Sequence, residues 1–158
     1  MKNFIYFALS CFVLLNTACH HDKCCVPPES QVYIRAQKDS VSWEANPANS
    51  TVQNDTITIV GTTTNPGALQ ETLVITVKYN WLGNYNLTNG QAVYYTTAGQ
   101  SAPVVRHDID TLFANSLNIF FYAPGNIVGS FNLKFMNALP STKTISFLEG
   151  RFEIPLHK

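Results

Sequence analysis

From residue 31 onward, apolar and polar residues alternate with a period of two, the mark of strands with one buried and one solvated face. Val32, Ile34 and Ala36 alternate with Tyr33 and Arg35, and Val41, Trp43 and Ala45 with Ser42 and Glu44. Asp55 to Ile59 repeats the pattern. The longest run is Thr72 to Trp81, with Leu73, Ile75, Val77, Tyr79 and Trp81 on one face and mostly polar residues on the other. Asn89-Gly90 is a favoured pair for a two-residue type I′ turn, so a hairpin is expected there. Its register pairs Leu87 with Ala92 and Tyr85 with Tyr94. Runs at Leu117–Phe121, Phe131–Phe135, Ile145–Phe147 and Phe152–Leu156 complete the series, with a turn at 123–126. Gly150 is read as a bulge or bend that joins the last two runs. No segment has a convincing helical period. About nine short strands broken by Gly, Pro and Asn turns predict a single antiparallel β-sandwich, with a closed β-barrel as the alternative.

The first thirty residues follow a different pattern. One lysine precedes an apolar run from Phe4 to Leu15, broken by Ser10, and small residues lead to Cys19. A basic start, a short apolar segment and a small residue before the cut describe a secretory signal. The run falls short of the ~20 apolar residues a membrane-crossing helix needs. Leu14-Leu15-Asn16-Thr17-Ala18-Cys19 resembles a bacterial lipobox, with Asn16 where an aliphatic residue is usual. That resemblance implies acylation of Cys19 and cleavage before it. The expected organisation is a signal over residues 1–18, a lipidated tether and Pro-rich spacer over 19–30, and a β-domain over 31–158.

Composition supports a folded domain. Of the 158 residues, 46% are hydrophobic and 13% are charged, with zero formal net charge. Charge is about half the usual share of roughly 25%, so polar surface falls to Thr, Asn, Ser and Gln. There is no basic stripe for a phosphate backbone, so no nucleic-acid partner is expected. Beyond Cys25 the chain has no cysteine, so no disulfide staples the core. Cys19-His20-His21-Asp22-Lys23-Cys24-Cys25 carries metal-ligating types, but all in one tether with no second pair downstream. A solvated tether is preferred over a metal-handling one, and no metal or cofactor is expected.

Candidate chemistry in the body is sparse. Arg106-His107-Asp108-Ile109-Asp110 is the one cluster of titratable residues. On a strand Asp108 and Asp110 share a face, where they could bind Ca²⁺ or divide acid and base roles in a small glycan-active enzyme. The preferred reading is ordinary solvated charge at a strand end. Nucleophile, zinc-protease and phosphate-loop motifs are absent. Among the aromatics, the register sends Tyr79, Trp81, Tyr85, Tyr94 and Phe121 inward and leaves Tyr95 and Phe120 outward, as candidates for a glycan-facing platform.

Three stretches carry a family resemblance: Gly83-Asn84-Tyr85-Asn86-Leu87, Ile127-Val128-Gly129-Ser130-Phe131-Asn132-Leu133, and Leu148-Glu149-Gly150-Arg151-Phe152-Glu153-Ile154-Pro155. They resemble a family of uncharacterised envelope lipoproteins from Bacteroidota that pair a lipobox with one small β-domain. Ser130, Leu133 and Ile154 stand where that family has Thr, Phe and Val. The resemblance implies a lipid-anchored protein of the cell envelope, in the outer membrane, facing the periplasm or the surface. It adds no activity. The expectation is a non-enzymatic binding or structural module whose partners are the membrane and an envelope glycan or outer-membrane protein.

Overall fold

Two tight turns organise the first four strands. In the computed structural model, which describes residues 32–47, 49–63, 69–97, 104–123, 126–137 and 143–155, β1 (Tyr33–Lys38) and β2 (Val41–Ala45) are joined through Asp39 and Ser40, both at positive φ. The same arrangement at Asn54-Asp55 joins β3 (Thr51–Gln53) to β4 (Thr56–Thr62). Two consecutive residues at positive φ make a type I′ turn, whose twist matches that of paired strands, so both are hairpins. The signal and tether, with Cys19, His20, His21, Cys24 and Cys25, lie outside the described residues, as do Pro124, Gly125 and His157.

The Asn89-Gly90 hairpin expected from the sequence does not form. Only Gly90 of the pair has positive φ, and the Gln91 N–H donates to the Thr88 carbonyl at 3.1 Å. That is a type II turn, whose twist splays the flanking strands instead of pairing them. The chain leaves β5 (Gln70–Lys78), runs out as β6 (Gly83–Asn86), and returns through this turn into β7 (Ala92–Thr97). There β7 pairs with β5, while β6 pairs with β9 (Ser116–Ala123). Leu87, Ala92 and Tyr94 are buried as expected, but through these other pairings.

The remaining strands are β8 (Val104–Ile109), β10 (Asn126–Asn137) and β11 (Thr144–Pro155). They complete an antiparallel sheet in the order β2-β1-β11-β10-β8-β7-β5-β4-β3, with β9 and β6 branching from β10. β10 has two partners along one edge, β9 at Asn126–Asn132 and β8 at Phe135–Asn137. Lys134 lies at the changeover. Its N–H donates to Asn115 Oδ1 at 2.8 Å, and its carbonyl accepts from the Asp110 N–H at 2.7 Å. Asn115 is buried, and its Nδ2 donates to the carbonyls of Asp110 and Phe113, so the gap between strands is bridged by one side chain.

The sheet folds on itself, because strands far apart in its order share one core. Trp43 of β2 packs edge-on to Phe147 of β11, and Phe147 meets Tyr94 of β7 with centroids 5.1 Å apart. Gly61 of β4 lies against Ile34, Trp43 and Ala45. Among the described residues Asn46, just past β2, meets Thr62 of β4 at a single isolated bridge, through hydrogen bonds of 2.9 and 3.0 Å. One bridge does not make a ladder, so the fold is an all-β, sandwich-like sheet and not the closed barrel held as the alternative. Among the described residues there are eleven strands, against about nine expected. The short β3 and the Val104–Ile109 strand were not anticipated, and the last two runs are one strand, β11. The bulge read at Gly150 is present: β11 carries one extra residue against both neighbours, with Glu149 at positive φ.

Candidate functional site

One end of the fold holds a cavity of about 340 Å³, lined by Lys38, Glu71, Tyr94, His107, Asn137 and Lys143 among others. That is within the usual size range of small-molecule sites. Three of these side chains stand on the inward parity of their strands. Lys38 follows Ile34 and Ala36 on β1, Glu71 precedes Leu73 and Ile75 on β5, and Tyr94 follows Ala92 on β7. Polar groups are therefore carried on the core face where it reaches its end.

The polar groups are knitted together. Lys38 Nζ forms an ion pair with one Glu71 oxygen, and the Trp43 indole N–H donates to the other. Lys38 Nζ also reaches the Tyr94 hydroxyl at 3.4 Å. The Glu71 N–H donates to Thr63 Oγ1 at 2.9 Å. A buried carboxylate needs a cation and further donors to offset lost hydration, and Glu71 has both. Burial first, then the charge of Glu71, raises the Tyr94 phenol well above its ordinary value, so it remains neutral.

His107 is the incomplete member. It pairs across the ladder with Tyr94, their rings 5.4 Å apart and tilted by 34°, and on its other side with Asn137. The residue is only 7% exposed, and its Nδ1 is buried without a hydrogen-bond partner among the described residues. An unpaired buried polar atom costs about 1–3 kcal/mol, which a ligand or water hydrogen-bonded there would offset.

Burial also lowers the His107 pKa from its ordinary 6.5, with Asp108 acting against the shift and Lys143 with it. The folded state thus holds the ring neutral where the unfolded chain protonates it. The associated stability is complete above the unfolded value and is lost as pH falls through the folded one. Between about pH 7 and about pH 5 the urea midpoint of the wild type is expected to fall more steeply than that of His107→Phe. Parallel slopes for the two proteins would show that His107 is not held neutral by burial.

Of the residues singled out from the sequence, His107 lines the cavity, while Asp108, Asp110, Tyr95 and Phe120 are placed elsewhere. Asp108 pairs with Arg106 at 2.8 Å. Asp110 is buried past the end of β8, where Oδ1 accepts from the Leu112 N–H at 3.0 Å and Oδ2 is 3.9 Å from Lys134 Nζ. The two carboxylates therefore have separate partners. Tyr95 is half-buried on β7, and Phe120 is exposed on β9, which is not a neighbour of β7. Two inward assignments are corrected. Phe121 is 52% exposed, because the register between β9 and β10 shifts at Phe120 and turns both rings outward. Trp81 is 64% exposed, because β5 ends at Lys78 and the strand parity is lost at Trp81, where φ is 121°.

Sequence reasoning missed Lys38, Glu71, Trp43 and Tyr94 as a group. The signal was present: Lys38 and Glu71 are charges at strand positions whose phase is otherwise apolar. Among the described residues no cluster of three His, Cys, Asp or Glu side chains could hold a metal ion. No curated protein and no solved structure matches the chain. A family model does match, over residues 30–154, which is most of the chain and nearly all of the β-domain. The chain belongs to that family, described as Domain of unknown function (DUF6252).

Proposed function

We propose that this protein is a lipid-anchored binding module of the cell envelope, and that its domain seats a small polar ligand in the end cavity. The observation that carries the binding role is the cavity's wall, with His107 Nδ1 buried and unpaired beside Lys38, Tyr94 and Asn137. The Glu71 oxygens are taken by Lys38 and Trp43, which leaves that carboxylate a structural anchor instead of a free acid or base and favours binding over catalysis. Lys38 and Lys143 supply donors, so an acceptor-rich ligand such as a neutral sugar suits the wall. The envelope location and anchor rest on residues 4–19 and on the resemblance to Bacteroidota envelope lipoproteins. The outer membrane is the proposed site, with an envelope glycan or a neighbouring outer-membrane protein as partner.

One preparation tests both halves. The expressed wild type is expected to begin at Cys19, carry acyl mass and partition into detergent, while Cys19→Ala does not. On the same protein, titration with neutral monosaccharides is expected to shift the His107 imidazole resonances and raise the melting temperature. A soluble, unmodified wild type removes the anchor. Imidazole resonances that stay fixed at millimolar sugar remove the cavity as the seat.

A further inference from the structure

A groove lies on the outer face of the sheet and shares no lining residue with the end cavity. Arg35 of β1 and Arg151 of β11 are directly opposite in register, and both point to solvent. Like charges so placed repel and destabilise the pair. Among the described residues neither forms an ion pair with a carboxylate, although Glu44 stands opposite Arg35 on β2. Arg35 is propped in place, its guanidinium carbon 4.6 Å from the centre of the Tyr33 ring. The two arginines line a groove of about 430 Å³ at the β11 bulge, with Ser42, Ser130, Asn132 and Glu149. The bulge has a defined support, since the Glu149 N–H donates to Asn132 Oδ1 at 2.9 Å.

The register extends this pair into a track. Asn84, Asn118, Ser130, Arg151, Arg35 and Glu44 are successive partners across β6, β9, β10, β11, β1 and β2. At ~4.8 Å between strands the row spans about 24 Å. Amides and a hydroxyl at one end suit the hydroxyls of a sugar chain. Two adjacent guanidiniums suit a planar carboxylate, which each can grip through two parallel N–H donors. Glu149 keeps the groove's lining at a net single positive charge, which matches a monoanionic group better than a phosphate dianion.

We infer that this face binds an acidic glycan, with the carboxylate of a uronic acid residue seated between Arg35 and Arg151 and its neighbouring sugars lying along Ser130, Asn118 and Asn84, away from the Glu44 carboxylate. Calorimetric titration of the purified Cys19→Ala protein, which carries no acyl chain to insert into a bilayer, with an oligogalacturonate is the test. A neutral malto-oligosaccharide of equal length, inorganic phosphate and vesicles of anionic lipid serve as comparisons. The oligogalacturonate is expected to bind at least about tenfold tighter than any of these, and to weaken at about 0.5 M salt. Arg35→Gln/Arg151→Gln is expected to lose that binding with a melting temperature no lower than that of the wild type, since it removes the repulsion between the two. Arg151→Lys, which keeps the charge and loses the fork, is expected to weaken it. The inference is overturned if the neutral oligomer binds as well, if phosphate or vesicles bind as tightly as the uronate, or if the double variant still binds.

Discussion

Replacing Gly129 by alanine is expected to destabilise the domain by about 3 kcal/mol, the upper end of ordinary overpacking. Gly129 is on the core-facing parity of β10, paired with Phe152 of β11. A Cβ there would lie 2.3 Å from Phe152 Cζ and 2.4 Å from the Asn118 carbonyl oxygen. Phe152 is fully buried and the carbonyl belongs to β9, so neither can yield without shifting a strand. Gly-to-Ala changes also restrict the unfolded chain, a gain of about 0.4–1 kcal/mol, which is too small to offset that clash. The next inward pair is reciprocal: Phe131 covers Gly150, where a Cβ would meet the ring at 2.4 Å. Gly61→Ala is the control. Its nearest neighbour is the mobile end of Ile34 at 3.1 Å, and a loss of about 1 kcal/mol is expected. Urea denaturation of the three proteins gives the comparison. Equal midpoints for Gly129→Ala and wild type would mean that the Gly129–Phe152 contact is not as close as described.

Cutting the Lys38–Glu71 pair is expected to be asymmetric. Lys38→Met leaves the Glu71 carboxylate, in a side chain 9% exposed, without a cation beside it, and is expected to cost about 3 kcal/mol. Glu71→Gln leaves the Lys38 ammonium, whose side chain is 25% exposed and can extend to water, so a loss of about 1–2 kcal/mol is expected. The double variant, with neither charge, is expected to lose less than the sum, and the cycle measures the coupling. Additive losses from urea denaturation would refute the pair as the unit that holds this end of the core.

Much of the architecture is legible in the alternation of residue types, because burial of a strand face is a local property. Leu73, Ile75 and Val77 read as inward and are buried, and Gly150 reads as a break in β11 and sits at its bulge. Turns were less legible. Asp39-Ser40 and Asn54-Asp55 make the type I′ turns, while Asn89-Gly90, the stronger signal, does not, since turn type follows from where the flanking strands find partners. Phe121 was misread because one bulged residue inverts the parity beyond it. Of the candidate site, Lys38 and Glu71 are visible as charges out of phase, but their meeting is not.

By itself the sequence determined an all-β domain, the faces of most of its strands, the absence of a disulfide beyond Cys25, and membership of a family whose model spans residues 30–154. Tertiary structure alone decided which strands pair: β6 with β9, β7 with β5, and β10 with β9 and then β8 along one edge. It also brought Lys38 to Glu71 across 33 residues and set Arg35 opposite Arg151. The division has one physical cause. A period of two records which side of a strand is dry, a property of each segment alone. Pairing depends on backbone hydrogen bonds that every strand can offer to every other, so it is settled only when the whole sheet closes over its core.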